Sequence, residues 1–243
     1  MSIITSTALR YPKSLWSYNP IPTGCVLYLP FWHPSLAGPV FKSIDPFGHT
    51  ATVSGALYQG DVKGRFFDGA TGNDDIITVP SSTGIDGLFD SGGTIITWVN
   101  LASDGGGDQG NIAQKTRFSF LCKGEAASKV KLDFSHQFSG DDYASTTTAT
   151  EITLNQNTHA AITYDNSNTA NLAIHYVDAV VVAHSNGTPT GTRNSDAGFT
   201  LNIGKHPSVA RTIDGNIIEM SQWDRILSPD EITYHRRMSR RNL

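Results

Sequence analysis

The sequence predicts an all-β sandwich closed by one short C-terminal helix. Three observations predict it. Short runs of β-branched and aromatic residues recur between Gly, Asn, Asp and Pro, the mark of strands joined by tight turns. The composition of 38% hydrophobic and 16% charged residues, with 23 Gly and 11 Pro, describes a turn-rich globular chain rather than a disordered or coiled-coil one. The two-residue period breaks into a helix signal only after Trp223. A length of 243 residues suits one large sandwich domain, and no fixed-period repeat or second domain is visible.

Taken in order, residues 1–23 read as an N-terminal arm, because Pro12, Pro20 and Pro22 interrupt a polar stretch that cannot form a regular element. The domain, residues 24–243, opens with "CVLYLPFW" and continues through "GRFFDG", "DDIITVP", "TIITWVNL", "FSFLC" and "VKLDFSHQF". It ends with "HAAITYD", "LAIHYVDAVVV", "FTLNIG" and "GNIIEMSQW". In "HAAITYD", Ala160, Ile162 and Tyr164 fall on one face and Ala161, Thr163 and Asp165 on the other, as a half-buried antiparallel strand requires. After Trp223, Ser228 is a good N-cap, Pro229 suits the first helical position and Glu231 can reach back to the Ser228 N–H. Leu227 and Ile232 are spaced as a hydrophobic staple across that cap.

"GNIIEMSQWDRILSPDEI" resembles the closing motif of laminin G-like, concanavalin A-like lectin-glucanase jelly-roll domains. "GRFFDGATGNDDIITVP" resembles the family's Phe-x-Gly turn, Asp-rich turn and strand ending in Val-Pro. "GTIITWVNL" is similar to its central Trp strand, "HAAITYD" to its His-x-Ala-x-Thr-Tyr-Asp strand, and "LAIHYVDAVVV" to its Leu-x-x-Tyr-Val-Asp hairpin. The resemblance covers about residues 24 to 235 in family order and implies a jelly-roll sandwich of two antiparallel sheets. Two positions depart from it: Ile218 stands where many members carry Asp, and Ala179 replaces the Gly that usually follows Asp178.

Polysaccharide-cleaving enzymes of this fold class group carboxylates on one sheet, because one group donates a proton while another attacks or activates water. Here only Glu125, Glu151, Glu219 and Glu231 are present, and no Glu-x-Asp-x-Glu strand occurs. Asp133 and His136, three apart, point to opposite faces of a flat strand. The chain is therefore expected not to be an enzyme, and a polysaccharide-active enzyme is the disfavoured alternative. The eight His show no zinc spacing, and the Gly-rich "SDGGGDQG" carries Asp104 and Asp108, the wrong charge for phosphate. That loop reads instead as a ligand-facing loop at the end of the sandwich.

Calcium is the one cofactor the pattern suggests. Asp68, Asp74 and Asp75 fall in a Gly-rich turn and offer hard oxygen ligands, although each can equally bond its own backbone in an Asx-turn. For a glycan, Tyr143 in "SGDDYAS" is the exposed aromatic candidate and His206 a polar one, while Trp98 reads as core. Arg236, Arg237, Arg240 and Arg241 form a basic tail that either complements the helix dipole or contacts an acidic partner or neighbouring subunit.

A net charge of −4 argues against a surface built for nucleic acid. Cys25 and Cys122 make no disulfide framework, and no run is long and apolar enough to span a membrane. The N-terminus lacks the apolar region of a secretory signal. Either a signal has been removed, or the protein works in the cytosol or in a particle assembled there. These features make a binding or assembly module the expectation: a phage or viral decoration, fibre or receptor-facing protein, with glycan or protein partners and possible homo-oligomerisation. The alternative is a free carbohydrate-binding lectin domain.

Overall fold

In the computed structural model, which describes residues 18–60, 62–69 and 75–239, the predicted runs become strands of two facing antiparallel sheets. In chain order the first are β1 (Cys25–Leu29), β2 (Val40–Lys42), β3 (Thr50–Ser54), β4 (Leu57–Tyr58), β5 (Arg65–Phe67) and β6 (Ile76–Val79). Then come β7 (Gly93–Leu101), β8 (Gln109–Lys115), β9 (Phe118–Ala126), β10 (Lys129–His136), β11 (Tyr143–Thr147) and β12 (Ile152–Thr153). The last are β13 (Thr158–Tyr164), β14 (Ile174–Val177), β15 (Val180–Val181), β16 (His184–Asn186), β17 (Leu201–Ile203) and β18 (Gly215–Trp223), followed by helix α1 (Pro229–Ser239).

Sheet A runs β15-β14-β13-β7-β18-β5-β4, with β1 also beside β18. Sheet B runs β16-β11-β10-β9-β8-β17-β6-β3-β2, with β12 beside β10. Between them lies the main core, which takes Ile95, Val99, Ile162 and Met220 from sheet A and Phe120, Leu132, Phe134 and Ile203 from sheet B.

The outer face of sheet A is covered as well. Trp98, Ile96, Ala161, Tyr176, Ile218 and Trp223 form a second apolar cluster with Tyr18, Ile21, Leu227 and Ile232. The expectation of a half-buried strand at "HAAITYD" is corrected here, since every residue of β13 is buried. Helix α1 and residues 18–23 supply the cover. The Trp223 indole N–H donates to the Ile21 carbonyl at 2.9 Å, and the Trp98 indole N–H donates to Ser239 Oγ at 2.8 Å. Ile218, where relatives were expected to carry Asp, is fully buried in this cluster.

The helix start is built as the sequence predicts. Glu231 N–H donates to Ser228 Oγ at 3.3 Å, and Ser228 N–H donates to Glu231 Oε2 at 2.9 Å. Both staple residues are fully buried. Arg225 adds a two-pronged pair onto the Glu231 carboxylate at 2.7 and 3.0 Å, which holds that carboxyl down at about 2. Both cysteines are free and buried.

The β14–β15 hairpin turns through Asp178 (φ 51°) and Ala179 (φ 65°), both left-handed. Such turns favour Gly because a Cβ in this region crowds the following carbonyl. Ala179→Gly should relieve more strain than the added chain entropy costs. The expected gain is about 0.5–1 kcal/mol, read as a higher urea midpoint at unchanged slope. A midpoint at or below the parent's would refute it.

Candidate functional site

The outer face of sheet B is polar because alternation sends its small hydrophilic residues outward. In β9, Phe118, Phe120 and Cys122 enter the core, which turns Ser119, Leu121 and Lys123 to the outer face, where Leu121 is itself buried. Strand β10 does the same, with Val130, Leu132 and Phe134 inward and Lys131, Asp133 and Ser135 outward. Strand registers align these positions into rows. One row crosses seven strands as Thr52, Thr78, Asn202, Gln114, Ser119, Ser135 and Ala144. The next joins Asn111, Leu121, Asp133, Thr146 and Ser185.

Along β8 and β9 this face sinks into a groove of about 270 Å³, whose lining runs from Gln109 to Arg117. The β10–β11 connection contributes Gln137 and Asp142, and the turn after β17 contributes His206 and Arg211. That turn is pinned alongside β8, since Asn111 N–H donates to the Arg211 carbonyl at 3.1 Å. Arg117 Nη1 donates to Gln137 Oε1 at 2.8 Å, and its guanidinium lies 5.2 Å from the Phe199 ring centroid. Asp133 accepts from Lys123 Nζ and Thr146 Oγ1, and Asp142 accepts the Phe138 N–H at 3.0 Å. His206 Nδ1 accepts the Ser208 N–H at 3.1 Å, which leaves the ring proton on Nε2. Burial and the neighbouring Arg211 both lower its pKa.

Three buried polar atoms on this face lack partners among the described residues: Gln114 Oε1 and Arg117 Nε on the groove lining, and Asn111 Nδ2 beside it. Gln114 is only 6% exposed, so its carbonyl oxygen has lost water without gaining a donor. Such an orphan costs about 1–3 kcal/mol and marks a place where a bound hydroxyl would be favoured.

Of the ligand and partner candidates singled out in the sequence and lying among the described residues, His206 lines this groove, as does Asp133, weighed there as a carboxylate. Tyr143 is not the exposed stacking ring expected of it. It is fully buried, stacked on Tyr164 at 4.5 Å and 11°, and its hydroxyl donates to Asn186 and accepts from the Ala173 N–H, both at 2.6 Å. Asp104 is buried and accepts the Glu125 N–H at 3.0 Å, which makes it a turn anchor rather than a ligand contact. Asp108 is exposed, in the left-handed region at φ 60°.

Asp75 is buried, and its Oδ2 accepts the Asp68 N–H at 2.7 Å. Asp74 lies outside the described residues, among which no three metal-ligating side chains come together. Arg236 is paired internally with Asp178 at 3.0 Å. Arg237 is exposed, 5.7 Å from the Tyr234 ring centroid, and Arg240 and Arg241 lie outside the described residues. Gln114, Arg117, Ser135 and Arg211 were missed, although the alternation of "FSFLCK" and "VKLDFS" marks the surface to which they belong.

A perturbed carboxylic acid does exist, away from the groove. Glu219 is buried beneath α1, where desolvation raises its pKa to about 7 against the opposing pull of hydrogen bonds from Trp32 Nε1 (3.0 Å) and Tyr28 Oη (3.2 Å). Its other oxygen lies 3.6 Å from His235 Nε2, and His235 Nδ1 is 3.1 Å from His159 Nε2. Burial lowers His235 to about 3 and carries His159 well below the usual imidazole range. Sealed from solvent by aromatic rings, this chain of groups tethers the helix and is not open to a ligand.

The family model described as the concanavalin A-like lectin/glucanases superfamily, of laminin G type, matches residues 71–233. The chain belongs to that superfamily. Among solved structures, the binding domain of botulinum neurotoxin DC, in complex with rat synaptotagmin II, matches with a TM-score of 0.66 at 11% identity, over 90% of this chain and 52% of that one. A native heptameric SAP-like pentraxin from Limulus polyphemus matches with a TM-score of 0.52 at 14% identity, over 69% and 78% of the two chains. A Trypanosoma rangeli sialidase matches with a TM-score of 0.58 at 15% identity, over 88% and 33%. At these identities the likeness establishes the fold. The chain spans about half the length of the neurotoxin binding domains it matches. No curated protein sequence matches it.

The buried Glu219–His235–His159 chain sets a pH dependence. Neutral buried histidines take up no proton where the unfolded chain does, so they cost stability as pH falls below about 6.5. Glu219 acts in the opposite sense: its contribution is complete below about 4.5 and is lost as pH rises through about 7. Between pH 4.5 and 6.5, His235→Phe should therefore flatten the acid loss of stability and Glu219→Gln should steepen it. Each change approaches about 1.4 kcal/mol per pH unit for one proton. Urea unfolding across that range measures both slopes, and slopes equal to the parent's would remove the assignment.

Proposed function

We propose that the protein is a non-enzymatic binding module that holds a hydroxyl-rich ligand, a glycan, in the groove on the outer face of sheet B. The carrying observation is the buried, unpartnered Gln114 carbonyl oxygen on the groove lining. A small turn of its amide, about a torsion with broad preferences, would bring that oxygen to a ligand hydroxyl. Amide, hydroxyl and imidazole groups from Asn202, Ser119, Ser135, Gln137 and His206 lie on the same surface. Such groups bind sugars by hydrogen bonds that fix orientation. Asp133 is already tied to Lys123 and Thr146, which favours binding over acid–base chemistry at this face. That a neurotoxin binding domain shares the fold lends support of the same kind.

Assembly into a virion or other particle is a second proposal, favoured by the exposed Arg237 beside the basic tail. Light scattering on the purified chain tests the homo-oligomeric form of it, and a monomer at high concentration would count against it. Calcium at Asp68, Asp74 and Asp75 is a proposal from the sequence pattern alone. Added Ca²⁺ should raise the melting temperature of the parent and not that of Asp75→Ala, and an unmoved parent would sink it.

For the groove itself, Ser135→Trp should fill the cleft and abolish glycan-array signals at an unchanged melting temperature. Full retention of the parent's signals by a folded Ser135→Trp protein would place the ligand elsewhere.

A further inference from the structure

We propose that the ligand of this groove is an anionic oligosaccharide, its acidic groups held by Arg117 and Arg211. The inference rests on the binding reading above and names the ligand's charge and extent.

Most described arginines are already engaged. Arg65 donates to the Leu36, Gly38 and Ala56 carbonyls, Arg193 pairs with Asp90, Arg225 with Glu231 and Arg236 with Asp178. Arg237 is exposed and turned to Tyr234. Arg117 and Arg211 have no carboxylate partner among the described residues, and both line the same groove.

Arg117 is oriented without being neutralised. Gln137 takes Nη1 and Phe199 lies near the guanidinium, while Nη2 makes no hydrogen bond to the described residues. A guanidinium fixed in direction but left with free donors is the equipment for a carboxylate or sulfate. Arg211 is half-buried, its side chain makes no hydrogen bond to the described residues, and its charge already lowers the pKa of His206 beside it.

The other charges on the groove do not cancel these two. Lys115 is paired with Asp86 and Asp196, and Asp133 with Lys123. That leaves Asp142, whose carboxylate accepts one backbone N–H, against two guanidinium groups that have no carboxylate partner among the described residues. A local positive excess therefore sits on a chain of net charge −4.

Placement gives the extent. The Arg211 carbonyl is bonded at Asn111, near the start of β8, and Arg117 lies in the turn beyond its end. Four steps of strand from Asn111 to Lys115 span roughly 13 Å, and the turn carrying Arg117 lies beyond them. Acidic groups bound at both ends with hydroxyls between them describe an extended chain of sugars, and the orphaned Gln114 oxygen lies along that path.

The test is calorimetric titration of the full chain with three oligosaccharides of matched length: oligogalacturonate for carboxylate, a heparin-derived fragment for sulfate, and a neutral cello-oligosaccharide. An anionic oligosaccharide should bind at least tenfold more tightly than the neutral one and weaken as salt is raised. Arg117→Gln and Arg211→Gln should each weaken it about tenfold, the loss of one charge-assisted hydrogen bond, with melting temperature unchanged. Whichever anionic arm binds identifies the acidic group. Equal binding of the neutral oligosaccharide, with both arginine variants like the parent, overturns the anionic assignment while leaving the groove in place. Anionic binding that persists in Ser135→Trp overturns the groove itself, and failure of both anionic arms to bind overturns the proposal.

Discussion

A strand that is apolar on both faces must be covered on both, or it exposes a template for aggregation. Strand β7 is such a strand: Ile95, Val99 and Leu101 enter the main core while Ile96 and Trp98 point the other way. The rest of the architecture answers that requirement. Strand β18 pairs with β7 along most of its length, Trp223 and Ile218 extend the same outer surface, and α1 with residues 18–23 lies over it. Each large apolar side chain sealed there contributes roughly 1.5–3 kcal/mol. The charged groups of the helix start are bent to this task, since Arg225, Glu231 and Ser228 bond one another and fix where the helix begins.

The two outer faces are consequently unlike. Sheet A's is sealed where α1 lies over it, and the polar groups trapped there, Glu219, His235 and His159, bond Trp32, Tyr28 and one another while some of their atoms stay unpartnered among the described residues, out of reach of water. Sheet B's outer face is lined with short polar side chains that are partly unsatisfied and open along a groove. A surface of the second kind can exchange its water for a ligand, and one of the first kind cannot. This asymmetry, rather than any single residue, separates scaffold from candidate site.

Much of the scaffold was legible in the sequence because it depends on local rules. Ser228, Pro229 and Glu231 spell a helix start, and Leu227 and Ile232 its staple, whatever the rest of the chain does. The site was less legible. Tyr143 misleads because its neighbours Asp141, Asp142 and Ser145 are hydrophilic, yet its strand alternates inward at Tyr143, Ser145 and Thr147, which only sheet pairing reveals. Arg211 reaches the groove on a turn anchored to a strand a hundred residues earlier, a contact that no local pattern encodes. Gln114, Ser119 and Ser135 are individually unremarkable residues and acquire meaning only when register places them side by side. Asp104 is the converse case, since burial turned a charged loop residue into a structural acceptor.

The position of β18 in the middle of sheet A has a consequence for how the protein is made. Synthesis delivers β7 long before its partner, and the ribosome must add more than a hundred residues before Trp223 and the helix emerge. Until then Ile96 and Trp98 lack their cover, and β7 can pair on only one side, with β13. Non-local pairing of this kind is slow and leaves the nascent chain open to mispairing with other chains. The segment from β18 through α1 thus decides whether the earlier strands mature into the two-sheet sandwich or remain a sticky intermediate, which makes a chain broken off before Gly215 far more damaged than the length lost suggests.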